Sequence, residues 1–382
     1  EAQYDESGKS VAISSDGSRI AIGAIGNNSG HVRVYERDTN ETLGWKQLGD
    51  NIDGEASDDW SGWSVAMSSD GTRIAIGARL NDGNGNSSGH VRVYQYSNNS
   101  WSQLGNDIDG EASDDQSGWS VAMSSDGSKI VIGAPYNGGT GYNSGHVRVY
   151  EYSNSSWSQI GSDINGEDSS DESGYSVAMS SDGSRIAIGA PYNYGSAHNS
   201  GHVRVYDYDT TNGWTQTGND IDGEAIQDEF GYSLAMSNNG LRIVVGARYN
   251  DGTGNAWSIG HVRVYEYSSG SWSQLGSDID GEANQDLSGW SVATNNDGSR
   301  IAIGARNNDG NGSNSGHVRI YDWDGSSWTQ TGNDIDGEAS GDYSGYSVAM
   351  RSDGSRIAIG ATKNDANGSN SGHVRVYDYS GG

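Results

Sequence analysis

The chain has 382 residues, with 51 acidic against 22 basic side chains and a formal net charge of −29. Such an acidic surface repels phosphate backbones, which excludes nucleic acid as a partner. Cysteine is absent, so disulfides are excluded, and no apolar run approaches the ~20 residues that membrane insertion requires. After Glu1 there is no positively charged stretch followed by an apolar one, which is the pattern of a signal peptide. We therefore expect that the sequence is a mature or trimmed form of the protein.

Three short strings recur along the chain and divide it into seven repeats. Gly-His-Val-Arg-(Val/Ile)-Tyr occurs seven times, at intervals of 56 or 59 residues. A variant of SVAMSSDGSRIAIGA precedes each copy, and Trp-x-Gln-(Leu/Ile/Thr)-Gly follows six of them. We treat residues 1–382 as one domain and place the repeats at 1–52, 53–108, 109–164, 165–221, 222–279, 280–335 and 336–382.

Each repeat reads as four antiparallel strands, and the second repeat shows the order. SVAMSS at 64–69 alternates polar and apolar residues, and RIAIGA at 73–78 follows a Ser-Asp-Gly hairpin signal. HVRVYQY at 90–96 and WSQLGNDI at 101–108 complete the unit. Alternation predicts one bulky face made of Val65, Met67, Ile74, Ile76, Val91 and Val93. Because no helical periodicity occurs, we predict an all-β, seven-bladed β-propeller of four-stranded blades.

The seventh repeat ends at HVRVYDYSGG and has no Trp-x-Gln string. We therefore expect a last blade that lacks its outer strand and has an open edge. We expect the missing strand to come from a segment outside these residues, from a neighbouring domain, or through self-association.

Two stretches of the sequence resemble FG-GAP repeats. They are SGYSVAMSSDGSRIAIGAP at 173–191 and FGYSLAMSNNGLRIVVGA at 230–247, although Phe-Gly occurs only once and Gly-Ala-Pro only twice. FG-GAP repeats build the seven-bladed head of integrin alpha subunits and occur in many secreted bacterial and algal proteins. The resemblance implies adhesion or scaffolding outside the cell rather than catalysis. The Asp-rich calcium loop of many members is not carried over, because the SSDGS-type hairpins here hold one carboxylate.

An acidic cassette, DGEASDD at 53–59, recurs in variants at 109–115, 165–171, 222–228, 280–286 and 336–342. We expect the cassettes on the propeller face opposite the SSDGS-type hairpins. Around the second copy, Asp107, Asp109 and Glu111 offer oxygen ligands for calcium. The alternative is turn chemistry, because Asp side chains bond their own backbone.

The loops between the second and third strands also offer oxygen ligands. Asp82, Asn84 and Asn86 have the 1-3-5 spacing of calcium loops, as do Asp309 and Asn311. One carboxylate per loop is little charge for calcium, so the alternative is a flexible polar loop. We expect that the protein requires no cofactor, with calcium as the possible exception. Asn-x-Ser/Thr patterns open glycosylation sites, if the protein is secreted by a eukaryote, at Asn27, Asn40, Asn86, Asn98, Asn154, Asn311 and Asn367.

Aromatic residues in these loops occur only in the middle blades, at Tyr136, Tyr142, Tyr192, Tyr194, Tyr249 and Trp257. Packing repeats from blade to blade and these residues do not, so we expect them to bind a glycan or an extracellular protein. We expect a secreted or cell-surface binding module that is not an enzyme. The alternatives are a structural subunit of an extracellular filament or coat that assembles through blade 7, and a polysaccharide-active enzyme.

Overall fold

A computed structural model of the chain describes residues 2–26, 28–252 and 257–379. The described residues form seven separate antiparallel sheets, one per repeat, and the last sheet has three strands. The prediction of a seven-bladed β-propeller with a shortened last blade is therefore confirmed. Within the described ranges, no helix is long and apolar enough to cross a membrane.

The strands of the first four blades follow the repeat in order. Blade 1 contains β1 (Ser10–Ile13), β2 (Arg19–Ala24), β3 (His31–Arg37), β4 (Trp45–Gln47) and β5 (Ile52–Asp53). Blade 2 contains β6 (Ser61–Met67), β7 (Arg73–Ala78), β8 (His90–Ser97), β9 (Ser100–Gln103) and β10 (Ile108–Asp109). Blade 3 contains β11 (Ser120–Met123), β12 (Lys129–Ala134), β13 (His146–Ser153), β14 (Ser156–Gln159) and β15 (Ile164–Asn165). Blade 4 contains β16 (Ser176–Met179), β17 (Arg185–Ala190), β18 (His202–Asp209), β19 (Gly213–Gln216) and β20 (Ile221–Asp222).

The remaining three blades keep this order until the chain reaches blade 7. Blade 5 contains β21 (Phe230–Met236), β22 (Arg242–Ala247), β23 (His261–Ser268), β24 (Ser271–Gln274) and β25 (Ile279–Asp280). Blade 6 contains β26 (Ser291–Thr294), β27 (Arg300–Ala305), β28 (His317–Trp323), β29 (Trp328–Gln330) and β30 (Ile335–Asp336). Up to residue 379, where the described residues end, blade 7 contains β31 (Ser344–Met350), β32 (Arg356–Ala361) and β33 (His373–Asp378).

The fourth predicted strand is divided into two short strands. In blade 2 the segment 101–108 turns after β9, and both β9 and the two-residue β10 pair with β8. Gly105 makes this turn with a φ of +81°, a conformation that glycine adopts without steric cost. Each complete blade therefore has four strands and a short fifth segment.

The predicted face assignment was wrong for the third strand. Across β7 and β8, Ile74 pairs with Tyr94, Ala75 with Val93, and Ile76 with Arg92. Because directly opposed residues share a face, Val91 and Val93 lie on the alanine face and not with Ile74 and Ile76. That smaller face of blade 2 packs against Ile130 and Ile132 of blade 3 in one buried cluster.

The ring of blades closes around its axis without a shared strand. At the hairpin end, the backbone nitrogen of each blade's Ser15-equivalent residue bonds the same position of the next blade, beginning with Ser15 to Ser69 at 2.9 Å. The series ends with Ser352 bonding back to Ser15 at 3.3 Å. At the opposite end, Ser7 and Gly372 form the same parallel bridge that Ser61 forms with Gly30. In these backbone contacts near the axis, blades 1 and 7 are therefore joined like the other neighbouring blades.

Candidate binding face

The acidic cassettes are corners of the fold, built on their last aspartate. The buried Asp115 carboxylate accepts hydrogen bonds from the backbone nitrogen of Ala112 at 3.0 Å and from the Asn137 amide at 2.9 Å. The same pair of bonds occurs in the other five cassettes, at Asp59, Asp171, Asp228, Asp286 and Asp342. Each cassette is thereby bound to the loop that follows its blade's second strand, and the two form one face, the cassette face.

The structure divides the proposed calcium ligands of the second cassette between two places. Asp107 lies with Glu55 and His90, whereas Glu111 lies with His146 and Asp163. Within each group the ligand atoms lie within 4.8 Å of one another, and the pattern occurs five times in the described residues. Asp109 belongs to neither group, and burial together with the Asp107 charge raises the pKa of its carboxyl.

These Glu-His-Asp groups offer nitrogen and oxygen donors, the ligand set that zinc accepts. Burial lowers the pKa of His90 to about 4, so its imidazole is neutral. A guanidinium already stands beside each glutamate, however, and the Arg92 Nη1 atom lies 3.5 Å from Glu55. Since this arginine neutralises the glutamate, each group together with its arginine keeps one net negative charge, that of its aspartate.

The other calcium candidates use their side chains within the chain. Asp82 accepts a 2.7 Å hydrogen bond from the Ser87 backbone, and Asn84 donates at 2.9 Å to the Gly110 carbonyl. Asp309 and Asn311 make the same two bonds in blade 6, at 2.7 Å and 2.9 Å. Asn86 lies 3.4 Å from the Asp114 carboxylate. The aspartates thus brace their own loops, and the asparagines bond these loops to the next cassette.

A ring of aromatic side chains surrounds the axis beneath this face. Trp63, Trp119, Tyr175, Tyr232, Trp290 and Tyr346 follow one another with ring centroids 4.9 to 5.6 Å apart. Lys9 closes the ring, with its Nζ atom 3.6 Å from the Trp63 centroid. Burial lowers the pKa of this lysine to about 7.

Three arginines cover the ring, and sequence reasoning missed them. Arg79, Arg248 and Arg306 lie 3.9, 3.7 and 3.4 Å from the centroids of Trp63, Tyr232 and Trp290, which is cation–π geometry. They occupy the position after Gly-Ala that holds proline in blades 3 and 4. The arginine in place of proline after Gly-Ala was the sequence feature from which they could have been predicted.

Two glutamates of blades 4 and 5, Glu172 and Glu229, lie close enough to influence each other. Arg248 donates a 2.7 Å hydrogen bond to Glu229, and both side chains are largely buried. Burial, with a smaller effect of Glu229, raises the pKa of Glu172 to about 8, so Glu172 is mostly protonated at neutral pH. Among the described residues, the buried polar side-chain atoms without a hydrogen-bond partner include atoms of Arg79, Glu172, Arg306 and Asn307, and the others are spread over the blades.

The six loop aromatics fall into an inner and an outer group. Tyr136 and Tyr192 turn inward and meet Trp119 and Tyr175 edge-on, at 5.5 and 6.1 Å. Burial raises the pKa of Tyr136 to about 12. The outer group is exposed, by 77% at Tyr142, 54% at Tyr194 and 50% at Trp257, and Tyr249 lies between the two groups, 4.5 Å from Arg248.

Tyr249 borders a hollow of about 260 Å³ between blades 4 and 5. Its wall contains Glu229, Tyr249 and Ile226, an exposed residue that sequence reasoning also missed. The cassette DGEAIQD could have predicted this residue, because it is the one cassette with an aliphatic side chain at the fifth position. We define the blade 4–5 patch as Tyr194, His198, Ile226, Tyr249 and Trp257, in which the Tyr194 and His198 rings lie 4.7 Å apart.

Comparison with known proteins agrees with this architecture. The FG-GAP repeat matches residues 52–94, 108–150, 220–265, 278–321 and 334–377, which is more than half of the chain. No curated protein matches the sequence. A solved structure of Kuenenia stuttgartiensis hydrazine synthase is similar, with a TM-score of 0.58 and 13% identity over 97% of this chain and 95% of that one. That likeness concerns the fold alone. The chain belongs to the FG-GAP repeat family.

Proposed function

We propose that this chain is an extracellular, non-catalytic adhesion module that recognises a glycan or another extracellular protein through its cassette face. One observation carries the proposal. Most of the large apolar side chains that are exposed in the described residues lie on this face, at Tyr4, Tyr142, Tyr194, Ile226, Tyr249 and Trp257. Exposed apolar groups concentrated on one face mark a recognition surface.

The composition of the blade 4–5 patch favours a neutral glycan as the first ligand to test. Tyr and Trp present flat apolar faces together with polar tips, which suits a sugar ring with its hydroxyl groups. Asn199 and Asp251 line the same hollow and supply hydrogen-bonding groups. The net charge of −29 disfavours sulfated or sialylated chains.

The exposure of the glycosylation patterns supports a location outside the cell. The described acceptor residues are all exposed, at Asn40, Asn86, Asn98, Asn154, Asn311 and Asn367. Asn27 lies outside the described residues. Mass spectrometry of the protein from its native source tests this, because unmodified asparagines throughout would remove the support.

We propose that binding requires no cofactor. The candidate ligands Asp82, Asn84 and Asp309 already bond within the chain. Calorimetry with calcium, compared with a chelator, tests the proposal. Heat of binding together with a rise in melting temperature would restore calcium as a cofactor.

The enzymatic alternative would use Glu172 and Glu229, because carboxyl groups with raised pKa values serve as catalytic acids. We propose that they act structurally, since Glu229 bonds Arg248, which lies over the Tyr232 ring, and Glu172 interacts with Glu229. Incubation with a panel of polysaccharides tests this. Turnover that disappears in Glu172→Gln would favour the enzyme.

The experiment for the main proposal is a glycan array that spans neutral and acidic structures, read beside an array of extracellular proteins. We expect the chain to bind neutral glycans and Trp257→Ala to lose that signal. Leu43→Ala is the control, because Leu43 is exposed in the outer hairpin of blade 1. Protein binding alone would replace the glycan, and no binding on either array would contradict the proposal.

A second candidate function is assembly of an extracellular filament or coat through blade 7. One observation favours it: β33 pairs only with β32, so in the described residues its outer side is an unpaired sheet edge. Light scattering over a range of concentrations tests this function. A monomer at the highest concentration would contradict it.

A further inference from the structure

The outer strands of blades 1 to 5 are each held by the next blade through a tryptophan. The indole nitrogens of Trp101, Trp157 and Trp328 donate 2.8 Å hydrogen bonds to the carbonyl oxygens of Leu48, Leu104 and Leu275. Trp214 and Trp272 make the same bond at 3.0 Å to Ile160 and Thr217. In each case the ring lies against the glycine that follows the carbonyl, so that an added Cβ would meet the indole Cδ1 at 2.6 to 2.9 Å.

Blade 6 presents this same acceptor without a tryptophan. Thr331 and Gly332 stand where Leu275 and Gly276 stand in blade 5, and no described atom lies within 4 Å of a Cβ added at Gly332. A cavity of about 180 Å³ lies here between blades 6 and 7, and its wall includes Gly332, Ile335, Arg356, Tyr377 and Tyr379. We call this cavity the tryptophan socket.

The side chains around the socket are more exposed than their equivalents in the complete blades, as a missing strand would leave them. Ile335 is half-buried, although its equivalents in blades 1 to 5 are 5 to 7% exposed. The equivalents of Tyr379 in blades 2 to 5 each lie against the tryptophan of their own outer strand. Tyr379 itself is exposed. The Arg375 side chain is 43% exposed, whereas that of Arg263 in blade 5 is 5% exposed. Apolar surface is thus left uncovered on both sides of the open edge.

We propose that the tryptophan socket and the outer edge of β33 together bind an extended partner segment of the type Ser-Trp-Ser-Gln-Leu-Gly-x-Asp-Ile-Asp. The segment adds antiparallel to β33, and its tryptophan enters the socket to donate a hydrogen bond to the Thr331 carbonyl. The socket thereby specifies what the second candidate function leaves open, namely the chemistry of the strand that the edge accepts. Strand addition supplies affinity through the backbone, and the tryptophan supplies specificity.

The register of the bound segment follows from blade 5. There Tyr265 pairs with Gln274, Tyr267 with Trp272, and His261 with Asp280. Transferred to blade 7, this places the tryptophan of the segment opposite Tyr379 and its glutamine opposite Tyr377. In blade 5 Arg263 also holds Asp278 through two bonds of 2.9 and 3.0 Å. Arg375 is the equivalent arginine and is placed to hold the first aspartate of the segment.

A second copy of this chain is a poorer occupant. Its tryptophans at 101, 157, 214, 272 and 328 are already bonded within their own propeller. Trp45 makes no such bond to the part of the chain that the structure describes, but its strand β4 is paired with β3. A second copy would therefore have to open one of its own blades to supply the strand.

Fluorescence anisotropy with a labelled peptide tests the proposal on the full chain. The probe is SWSQLGSDIDG, the sequence of residues 271–281, and the control peptide carries Trp272→Ser. The blocking variant is Gly332→Asn, since asparagine tolerates the φ of +76° while its side chain enters the socket. The matched control is Gly270→Asn, at a φ of +88° with no described atom within 4 Å.

We expect saturable binding of the tryptophan peptide, weakened about tenfold or more by Trp272→Ser or by Gly332→Asn and unchanged by Gly270→Asn. Absence of binding at millimolar peptide, or equal affinity for the two peptides, would overturn the proposal. Light scattering of the same samples separates the socket from self-assembly. A monomer that binds the peptide supports the socket and contradicts the second candidate function. An assembly that the peptide does not bind supports assembly and overturns the socket.

Discussion

The indole nitrogen of Trp328 in blade 6 donates a 2.8 Å hydrogen bond to the carbonyl oxygen of Leu275 in blade 5. Its strand neighbour Trp323 lies 5.4 Å away, centroid to centroid, and both rings lie against Gly276. One side chain therefore joins two blades through a polar bond and an apolar contact. Among the blades with a complete outer strand, blade 1 differs, because Trp45 has no acceptor of this kind in the described residues.

Replacing Trp328 with phenylalanine keeps an aromatic ring but removes the indole donor. We expect Trp328→Phe to lower the free energy of unfolding by about 1–3 kcal/mol, because the Leu275 carbonyl loses its partner. Trp45→Phe is the matched control and should cost less. Chemical denaturation of both variants measures the difference, and an equal loss would show that the hydrogen bond contributes little.

Supplying the missing strand within one chain should stabilise blade 7. SWSQLGSDIDG joined directly after Gly382 reproduces the blade 5 spacing, in which Trp272 follows Tyr267 by five residues. A tethered strand binds at high effective concentration, so we expect the melting temperature to rise by several degrees. The same extension with serine in place of tryptophan should give a smaller rise. Identical melting curves for both extensions would argue against the socket.

The cassette aspartates should be stabilising residues. We expect Asp115→Ala to cost about 2 kcal/mol or more, because it leaves the Ala112 nitrogen and the Asn137 amide without their acceptor. Asp82 is the comparison, since its carboxylate is exposed and accepts the Ser87 backbone nitrogen at 2.7 Å, where water can take its place. Asp82→Ala should therefore cost less. If thermal unfolding ranks the two variants in the opposite order, the bonds to the asparagine loop are not what holds the corner.

Glu172 should make stability depend on pH. Its pKa rises from 4.5 to about 8 on folding, so the folded state binds the proton more tightly than the unfolded chain. The stability it contributes is complete below pH 4.5 and is lost as the pH rises through about 8. We expect Glu172→Gln to flatten the fall of melting temperature across that window, whereas Glu41→Gln, in an exposed loop, should not. An unchanged pH profile in Glu172→Gln would refute the assignment. Lys9 acts in the opposite direction. Burial lowers its pKa from 10.5 to about 7, so its contribution to stability increases as the pH rises above about 7.

The sequence predicted the features that repeat. The seven GHVRVY strings predicted the number of blades. The missing seventh Trp-x-Gln string predicted the three-stranded last blade. It misplaced Val91 and Val93, because alternation fixes the two faces of one strand but not which face meets the neighbouring strand. That choice depends on the register, which sets Ile76 opposite Arg92.

The binding face was predicted only in outline. The loop aromatics were identified as departures from the repeat, but the sequence could not separate the inward Tyr136 from the exposed Tyr142. Backbone turns within one short loop decide which residue faces the axis. The three arginines over the aromatic ring were missed, because the strand pattern does not show that each side chain lies over a ring of its own repeat and a ring of the next one.

The most direct test of cassette-face recognition is a calorimetric titration with the neutral glycan that binds most strongly on the array. It compares the parent chain with Tyr194→Ala, Trp257→Ala and the control Leu43→Ala. We expect saturable binding by the parent and the control, with a loss of about tenfold or more in affinity for the two patch variants. Equal affinities for all four proteins would contradict the claim that the blade 4–5 patch is the recognition site.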